Sequence, residues 1–302
     1  MSSTDLRIAA CVIVKNEGDA ILEWGLYHHL IGFDSLLIFD DASTDHTLAE
    51  IEKLRKYCHV VVEPFEKELG NDQVRVYRRT CHLYRDDYDW IAFIDADEFI
   101  FSPHSGHDNP NQSGNFKEFL AAHSGAAAVA LPWLIFGSSG HKNKPCDLVL
   151  SSYTSRAQFN QFAPQKHVKS LIRPEKLVRC SNPHAFEVDG ITIGPNGKEI
   201  VWQRPGILKD YDQYQSWRIN HYFTKSEQNW AERIARGQLG GEKSKRTLED
   251  FRRYDRNDVE DLSALPYAES VRSLINEKSN TATSDSASQA PGMKSTQPDD
   301  AA

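Results

Sequence analysis

The chain has 302 residues, 39% of them hydrophobic and 26% charged, with a formal net charge of −8. That is the composition of a soluble globular protein with room for one large α/β domain or two smaller ones. The acidic balance argues against non-specific nucleic-acid binding, which needs a basic surface.

The N-terminal "MSSTDLRIAACVIVKNE" lacks a basic stretch followed by a long apolar one, so no signal peptide is expected. No run approaches the roughly 20 apolar residues of a membrane span. Cys11, Cys58, Cys81, Cys146 and Cys180 are scattered and never form a C-x-x-C pair. They read as free thiols, small buried hydrophobes of a reducing compartment. The expected address is cytoplasmic, with a possible peripheral contact at the inner membrane face.

In chain order, "IAACVIV" (8–14) is a continuous apolar run that predicts a buried parallel strand. A helix follows, with Ile21, Leu22, Leu26, Leu30 and Ile31 near helical spacing and Asn16 or Asp19 as its cap. "SLLIF" (35–39) predicts a second strand, and 46–57 a helix capped by Ser43, Thr44 or Asp45. "HVVVEP" (59–64) is a third strand, 72–86 a helix, and "WIAFI" (90–94) a fourth strand. A polar loop is expected at 102–115 and another strand within 126–136. Shorter strands are expected at 167–173 and 217–223, with a helix at 226–236. Strands alternating with helices predict an α/β fold, a doubly wound, mostly parallel sheet.

Acids gather at the ends of these strands. "WIAFIDADEFIF" (90–101) puts Asp95, Asp97 and Glu98 between two apolar segments. Crowding acids beside a buried strand is costly through repulsion and desolvation. A divalent cation removes that penalty, and two carboxylates at a sheet rim make a hard oxygen site for Mg²⁺ or Mn²⁺. As an isolated tripeptide, D-x-D is more often a solvated turn. A second cluster, "FDDASTDHT" (39–47), ends the second strand with Asp40 and Asp41. Ligands of open α/β sheets bind beyond such carboxyl ends. Asp45 is assigned mainly to helix capping.

The set "VKNEGDAILEWGLYHHLIGFDSLLIFDDASTDHT…WIAFIDADEF" resembles the GT-A nucleotide-sugar glycosyltransferases, closest to the family-2-like and family-92-like (DUF23-type) members. "RINHYFTKSEQNWAERIARG" (218–237), "KSLIRPEKL" (169–177) and "NPHAF" (182–186) add to it. The resemblance implies a GT-A, Rossmann-like domain over 1–240. Its nucleotide-binding half would span about 8–100 and a smaller, mixed acceptor half about 101–240. A helical extension (241–275) and a disordered tail (276–302) would follow, the tail being poor in large apolar residues. Asp95 and Asp97 would hold a divalent ion (Mn²⁺ or Mg²⁺) on the donor diphosphate, with His221 as a further ligand. Asp40 or Asp41 would contact base or ribose, Asn16 and Glu17 would border the nucleotide pocket, and Lys225 would lie near the diphosphate.

The implied reaction moves a sugar from a nucleotide-sugar, UDP by resemblance, to a hydroxyl of a glycan or glycolipid acceptor, with inversion. An inverting enzyme needs a general base. Glu187, Asp189 and Glu98 are candidates, Glu98 alternatively supporting the metal site. Several residues keep two readings. His184 is a ligand or a hydrogen-bonded loop histidine. His221 is a ligand or a histidine packed among aromatics. Arg236 and the cations after it are a diphosphate clamp or a basic surface loop. Trp133, Trp202 and Trp217 are sugar platforms or packing. The alternatives for the whole chain are a non-catalytic glycan- or nucleotide-binding relative and a metal-dependent nucleotidyltransferase. A Rossmann dehydrogenase is disfavoured, since "VKNEGDA" has no G-x-G-x-x-G.

Overall fold

The computed structural model describes residues 3–65, 72–103, 116–211, 216–237, 243 and 245–287. Its strands are β1 (Ile8–Val14), β2 (Ser35–Asp40), β3 (His59–Pro64), β4 (Trp90–Phe93), β5 (Glu98–Phe101), β6 (Ala128–Ile135), β7 (Ser155–Arg156), β8 (Val168–Ile172), β9 (Leu177–Asn182), β10 (Ala185–Val188), β11 (Thr192–Ile193), β12 (Trp202–Arg204), β13 (Ile207–Leu208), β14 (Arg218–His221) and β15 (Val259–Glu260). Its helices are α1 (Ile21–Leu30), α2 (Thr47–Leu54), α3 (Asp72–Leu83), α4 (Phe116–Ala122), α5 (Val149–Ser152), α6 (Glu227–Arg236), α7 (Leu248–Tyr254) and α8 (Leu265–Ala287).

Every residue of β1 and β4 is buried, as a strand covered on both faces requires. The main sheet runs β3-β2-β1-β4-β8-β6-β14-β5, with β11 beside β6. β3, β2, β1 and β4 are mutually parallel. β8 runs against β4 and β6, β14 lies parallel to β6, and β5 closes the edge antiparallel to β14. The expected α/β architecture, mostly parallel with a mixed C-terminal half, is therefore present.

The alternation of β1 sorts the layers. Ile8, Ala10, Val12 and Val14 pack with Trp24 of α1 and Ile51 and Leu54 of α2. Ala9, Cys11 and Ile13 pack on the opposite face with Tyr77 and Cys81 of α3. The chain thus changes face on passing from β3 through α3 to β4. The strand order reverses between β1 and β4, the switch point where such sheets open a crevice. Gly25 lets α1 lie close on α2, since a Cβ there would stand 2.6 Å from Leu54 Cδ1.

The apolar run after the acid cluster does return to the core, as the edge strand β5. An edge leaves backbone groups unpaired, and α1 covers them. Trp24 Nε1 donates to the Glu98 carbonyl at 2.9 Å and the Tyr27 hydroxyl to that of Ile100 at 2.7 Å.

Two helix starts differ from expectation. The N-cap of α1 is Ala20, without a side-chain cap. Asn16 is unavailable because it sits at φ 51° and its Oδ1 accepts from the Thr44 N–H at 2.7 Å. The N-cap position of α2 is His46, one residue past the proposed trio, yet Asp45 still accepts from the Thr47 N–H at 2.9 Å. The C-terminal segment is tied into the body. Asp261 meets Arg156 at 2.6 Å and Arg218 at 3.4 Å, and Tyr267 of α8 packs edge-on to Tyr27. Helix α8 continues past residue 276, where a tail was expected to start, to Ala287. Buried contacts of its first turns nucleate it, and a polar continuation adds backbone bonds without needing a core. Residues 288–302 and most of the expected polar loop, 104–115, lie outside the described residues. Among the described residues no helix is long and apolar enough to cross a membrane.

Candidate functional site

The carboxyl ends of β1 and β2 are stitched together by side chains of the "DDASTDHT" segment. The Asn16 N–H donates to Ser43 Oγ at 2.9 Å, the Glu17 N–H to Thr47 Oγ1 at 2.8 Å, and the Gly18 N–H to Asp45 Oδ2 at 3.1 Å. A loop that cannot join the sheet needs such acceptors for its backbone donors. Asp41 is 1% exposed and pairs with Lys15 Nζ at 3.0 Å, so it holds the rim from inside. Asp40 stays half-buried at the end of β2, accepting from the Ser43 N–H at 3.1 Å.

The acid turn lies beside this rim, after β4. Glu98 is fully buried, and its Oε2 accepts the Asp95 N–H at 2.8 Å, closing the turn. Lys169 of β8, also buried, reaches under it, with Nζ 2.9 Å from Asp95 Oδ2 and 3.5 Å from Glu98 Oε2. Burial pushes the Asp95 carboxyl up, but Lys169 outweighs it and the group lies below its ordinary range. Burial dominates for Glu98, which is held well above the usual carboxylate range despite Lys169. Asp97 is buried too; there the neighbouring Arg233 and His221 overcome desolvation and hold it well below that range. His221 Nε2 stands 3.4 Å from Asp97 Oδ1, and Arg233 Nη2 bonds Asp97 Oδ2. Burial lowers the His221 pKa against the pull of Asp97, which favours the neutral ring. Trp133 packs edge-to-face on His221 at 4.4 Å and also contacts His167 and His184.

A cleft of about 350 Å³ opens between the Asn16–Ala20 loop and α6, and Lys225, Arg233 and Arg236 line it. Its cations are held by acids. Glu17 receives Arg236 Nη1 at 2.6 Å and Lys225 Nζ at 3.7 Å. Arg233 joins the cleft to the acid turn, since it lines the first and bonds the second. Helix α6 is aimed by a capping box at Ser226 and Asn229 and anchored by buried Trp230. A second lobe of about 450 Å³ continues along Lys144, Leu148 and Tyr153.

Glu23 anchors the wall of that second lobe. Its buried carboxylate accepts the N–H groups of Val149 at 2.6 Å and Leu150 at 2.9 Å. Burial nevertheless raises its pKa from 4.5 to about 7. The folded protein therefore takes up a proton there that the unfolded chain does not. Stability from this group is complete below about pH 4.5 and declines by about 3 kcal/mol as pH rises through 7. A carbon-detected NMR titration is expected to place the Glu23 midpoint near 7. A midpoint in the ordinary glutamate range would contradict the burial argument.

Of the residues expected at the site, Asp95, Asp97, Glu98 and His221 are brought together. Asn16, Glu17 and Lys225 line the adjoining cleft. Glu187 is exposed on the β9–β10 hairpin, and Asp189 is 82% exposed with Lys176 Nζ at 3.6 Å; neither lines the cleft. Glu98, buried and engaged by the Asp95 N–H, is arranged as support for the turn. His184 sits behind Asp95 with Nδ1 on the Val168 carbonyl at 3.0 Å, its pKa lowered to about 4 by burial and by Lys169. Lys169 and Arg233 were not anticipated. Lys169 had a signal: a lone lysine inside the apolar strand "VKSLI" needs an acid partner. Arg233 lies three residues after the inward Trp230, on the same helix face.

The donor chemistry suits a divalent ion: two carboxylates and a neutral imidazole. The 3.4 Å between His221 Nε2 and Asp97 Oδ1 approximates the spacing of neighbouring ligands on one ion. Yet Lys169 and Arg233 occupy one oxygen each of Asp95 and Asp97. Among the described residues no three acid, imidazole or thiol groups stand ready as an ion site. The residues fit the ion chemically, while their present arrangement places the acids on protein cations.

A doubly wound sheet with a switch point between β1 and β4 defines the class of open α/β proteins that take a ligand beyond the carboxyl ends of their strands. The profile of glycosyltransferase family 92 matches residues 7–279, and the chain belongs to that family. A family 92 protein of Ricinus communis is 28% identical over 228 residues, 70% of this chain and 36% of that relative. One of Arabidopsis thaliana is 27% identical over 221 residues, again 70% and 36%. The chain thus spans about a third of the length of these relatives. Among solved structures, S. aureus TarS 1–349 aligns with a TM-score of 0.35 and 16% identity, over 56% of this chain and 47% of that one. Glucosyl-3-phosphoglycerate synthase of Mycobacterium tuberculosis, in complex with Mn²⁺, UDP and glucosyl-3-phosphoglycerate, aligns with a TM-score of 0.30 and 19% identity, over 43% and 45%.

Proposed function

We propose that this chain transfers a sugar from a nucleotide-sugar, with UDP as the nucleotide, to a hydroxyl of a glycan or glycolipid, with inversion and with help from a divalent cation. The observation that carries the reading is the acid turn Asp95–Glu98 at the switch point, tied through Arg233 to a cleft that Lys225, Arg233 and Arg236 line, in a family 92 chain. Asp40 offers an acceptor to ribose or base from the end of β2. Asp95, Asp97 and His221 are the residues that would hold the ion. Bound there, it would offset charge developing on the leaving diphosphate. Lys225, Arg233 and Arg236 are cationic donors for the same charge, the two arginines on a helix locked by its cap and Lys225 just before that cap.

Calorimetric titration of UDP and of GDP, each with Mn²⁺ and with EDTA, tests this. UDP is expected to bind with Mn²⁺ and at least about tenfold more weakly in EDTA, with GDP weaker than UDP throughout. Absence of binding by either nucleotide with Mn²⁺ would sink the proposal.

A further inference from the structure

Arg233 stands between two functions. Its guanidinium bonds Asp97 Oδ2 and donates to the Phe223 carbonyl at 2.6 Å, while the same side chain lines the cleft. Asp97 cannot give that oxygen to an ion until Arg233 leaves. A nucleoside diphosphate in the cleft offers arginine charge-assisted, bidentate hydrogen bonds, which can compete with a carboxylate. Arg236 and Lys225 are held in the same manner by Glu17. Among the described residues that line the cleft, Arg233 is the one seen hydrogen-bonded to an acid of the turn.

We infer that Arg233 is a positioning residue that couples donor binding to ion binding. Without donor it locks Asp97; a diphosphate in the cleft draws it away, and Asp97 and His221 then share a divalent ion. The inference rests on the cleft being the donor site. By linkage, nucleotide and ion strengthen each other's binding by one common factor.

The test is titration of Mn²⁺ alone, followed by the electron paramagnetic resonance of the free ion, with and without saturating UDP. Wild type is expected to bind Mn²⁺ at least about tenfold more tightly with UDP than without. Arg233→Gln is expected to bind Mn²⁺ alone at least about tenfold more tightly than wild type alone, with little further gain from UDP. Arg233→Lys, which keeps a cation, should stay near wild type. Adding Asp97→Asn to Arg233→Gln should remove the gained affinity, placing the ion at Asp97. A folded Arg233→Gln protein that binds Mn²⁺ no better than wild type overturns the coupling. If that variant does not fold, wild type decides: equal Mn²⁺ affinity with and without UDP overturns it. Failure of the donor reading looks different. UDP then binds under no condition, while the comparison of Arg233→Gln with wild type in Mn²⁺ alone still reports the lock.

Discussion

Asp97→Asn is expected to abolish metal-dependent nucleotide binding and to lower turnover at least about 100-fold, because it removes charge where the ion and the leaving diphosphate need it. The side chain is 6% exposed and meets both Arg233 and His221. Its carboxyl is held well below the usual range, burial being outweighed by Arg233, so it is ionised throughout the neutral range. The stability it contributes is present above the ordinary carboxylate pKa and is lost only as pH falls through its depressed folded value. A loss of activity near neutral pH therefore cannot come from titrating Asp97. The substitution also leaves Arg233 without its acid. Breaking a buried pair costs about 3–5 kcal/mol, and the lower end applies because Arg233 reaches the water of the cleft. Urea denaturation separates this from function. Glu187→Gln on the exposed hairpin is the control, expected within about 0.5 kcal/mol of wild type and with unchanged UDP affinity. Near-wild-type nucleotide binding by Asp97→Asn in Mn²⁺ would remove the acid turn from the donor site.

The rim was legible in the sequence because it breaks a strong local rule. β1, β2 and β4 are apolar runs whose burial follows from composition alone, so acids at their ends stand out. The meaning of "DDASTDHT" was only half legible. Acids there point to a ligand, but Ser43, Asp45 and Thr47 act mainly on the backbone of the neighbouring loop. That contact depends on the parallel pairing of β1 with β2. What neutralises the acids was less legible still. Asp97 and Arg233 lie 136 residues apart in sequence. Nothing local announces their meeting, which depends on β14 entering the sheet between β6 and β5 and so placing α6 over the turn. Glu98 shows the same limit. Its position beside Asp97 left both a base and a supporting role open, whereas its burial and its bond to the Asp95 N–H are properties of the folded edge strand.

Lys169→Met is expected to destabilise the protein by about 3–5 kcal/mol at neutral pH, lowering the melting temperature on the order of 10 °C. Lys169 is the buried cation shared by Asp95 and Glu98, and methionine keeps its length without its charge. Glu98 is fully buried, so no water replaces the lost ammonium. Glu98 can respond only by taking up a proton, while Asp95, 40% exposed, also keeps part of its hydration. Both carboxyl pKa values are therefore expected to rise in the variant, and the folded state then binds more protons than the unfolded chain. The sign follows: the deficit shrinks as pH falls and widens as pH rises through the new values. Glu98→Gln offers an independent check. It removes the second acid in contact with Lys169 but keeps an acceptor for the Asp95 N–H, so the double variant should lose less than the sum of the two single losses. Additive losses in that cycle, or a Lys169→Met protein as stable as wild type at pH 7, would show that the lysine fills space under the turn without holding its charge.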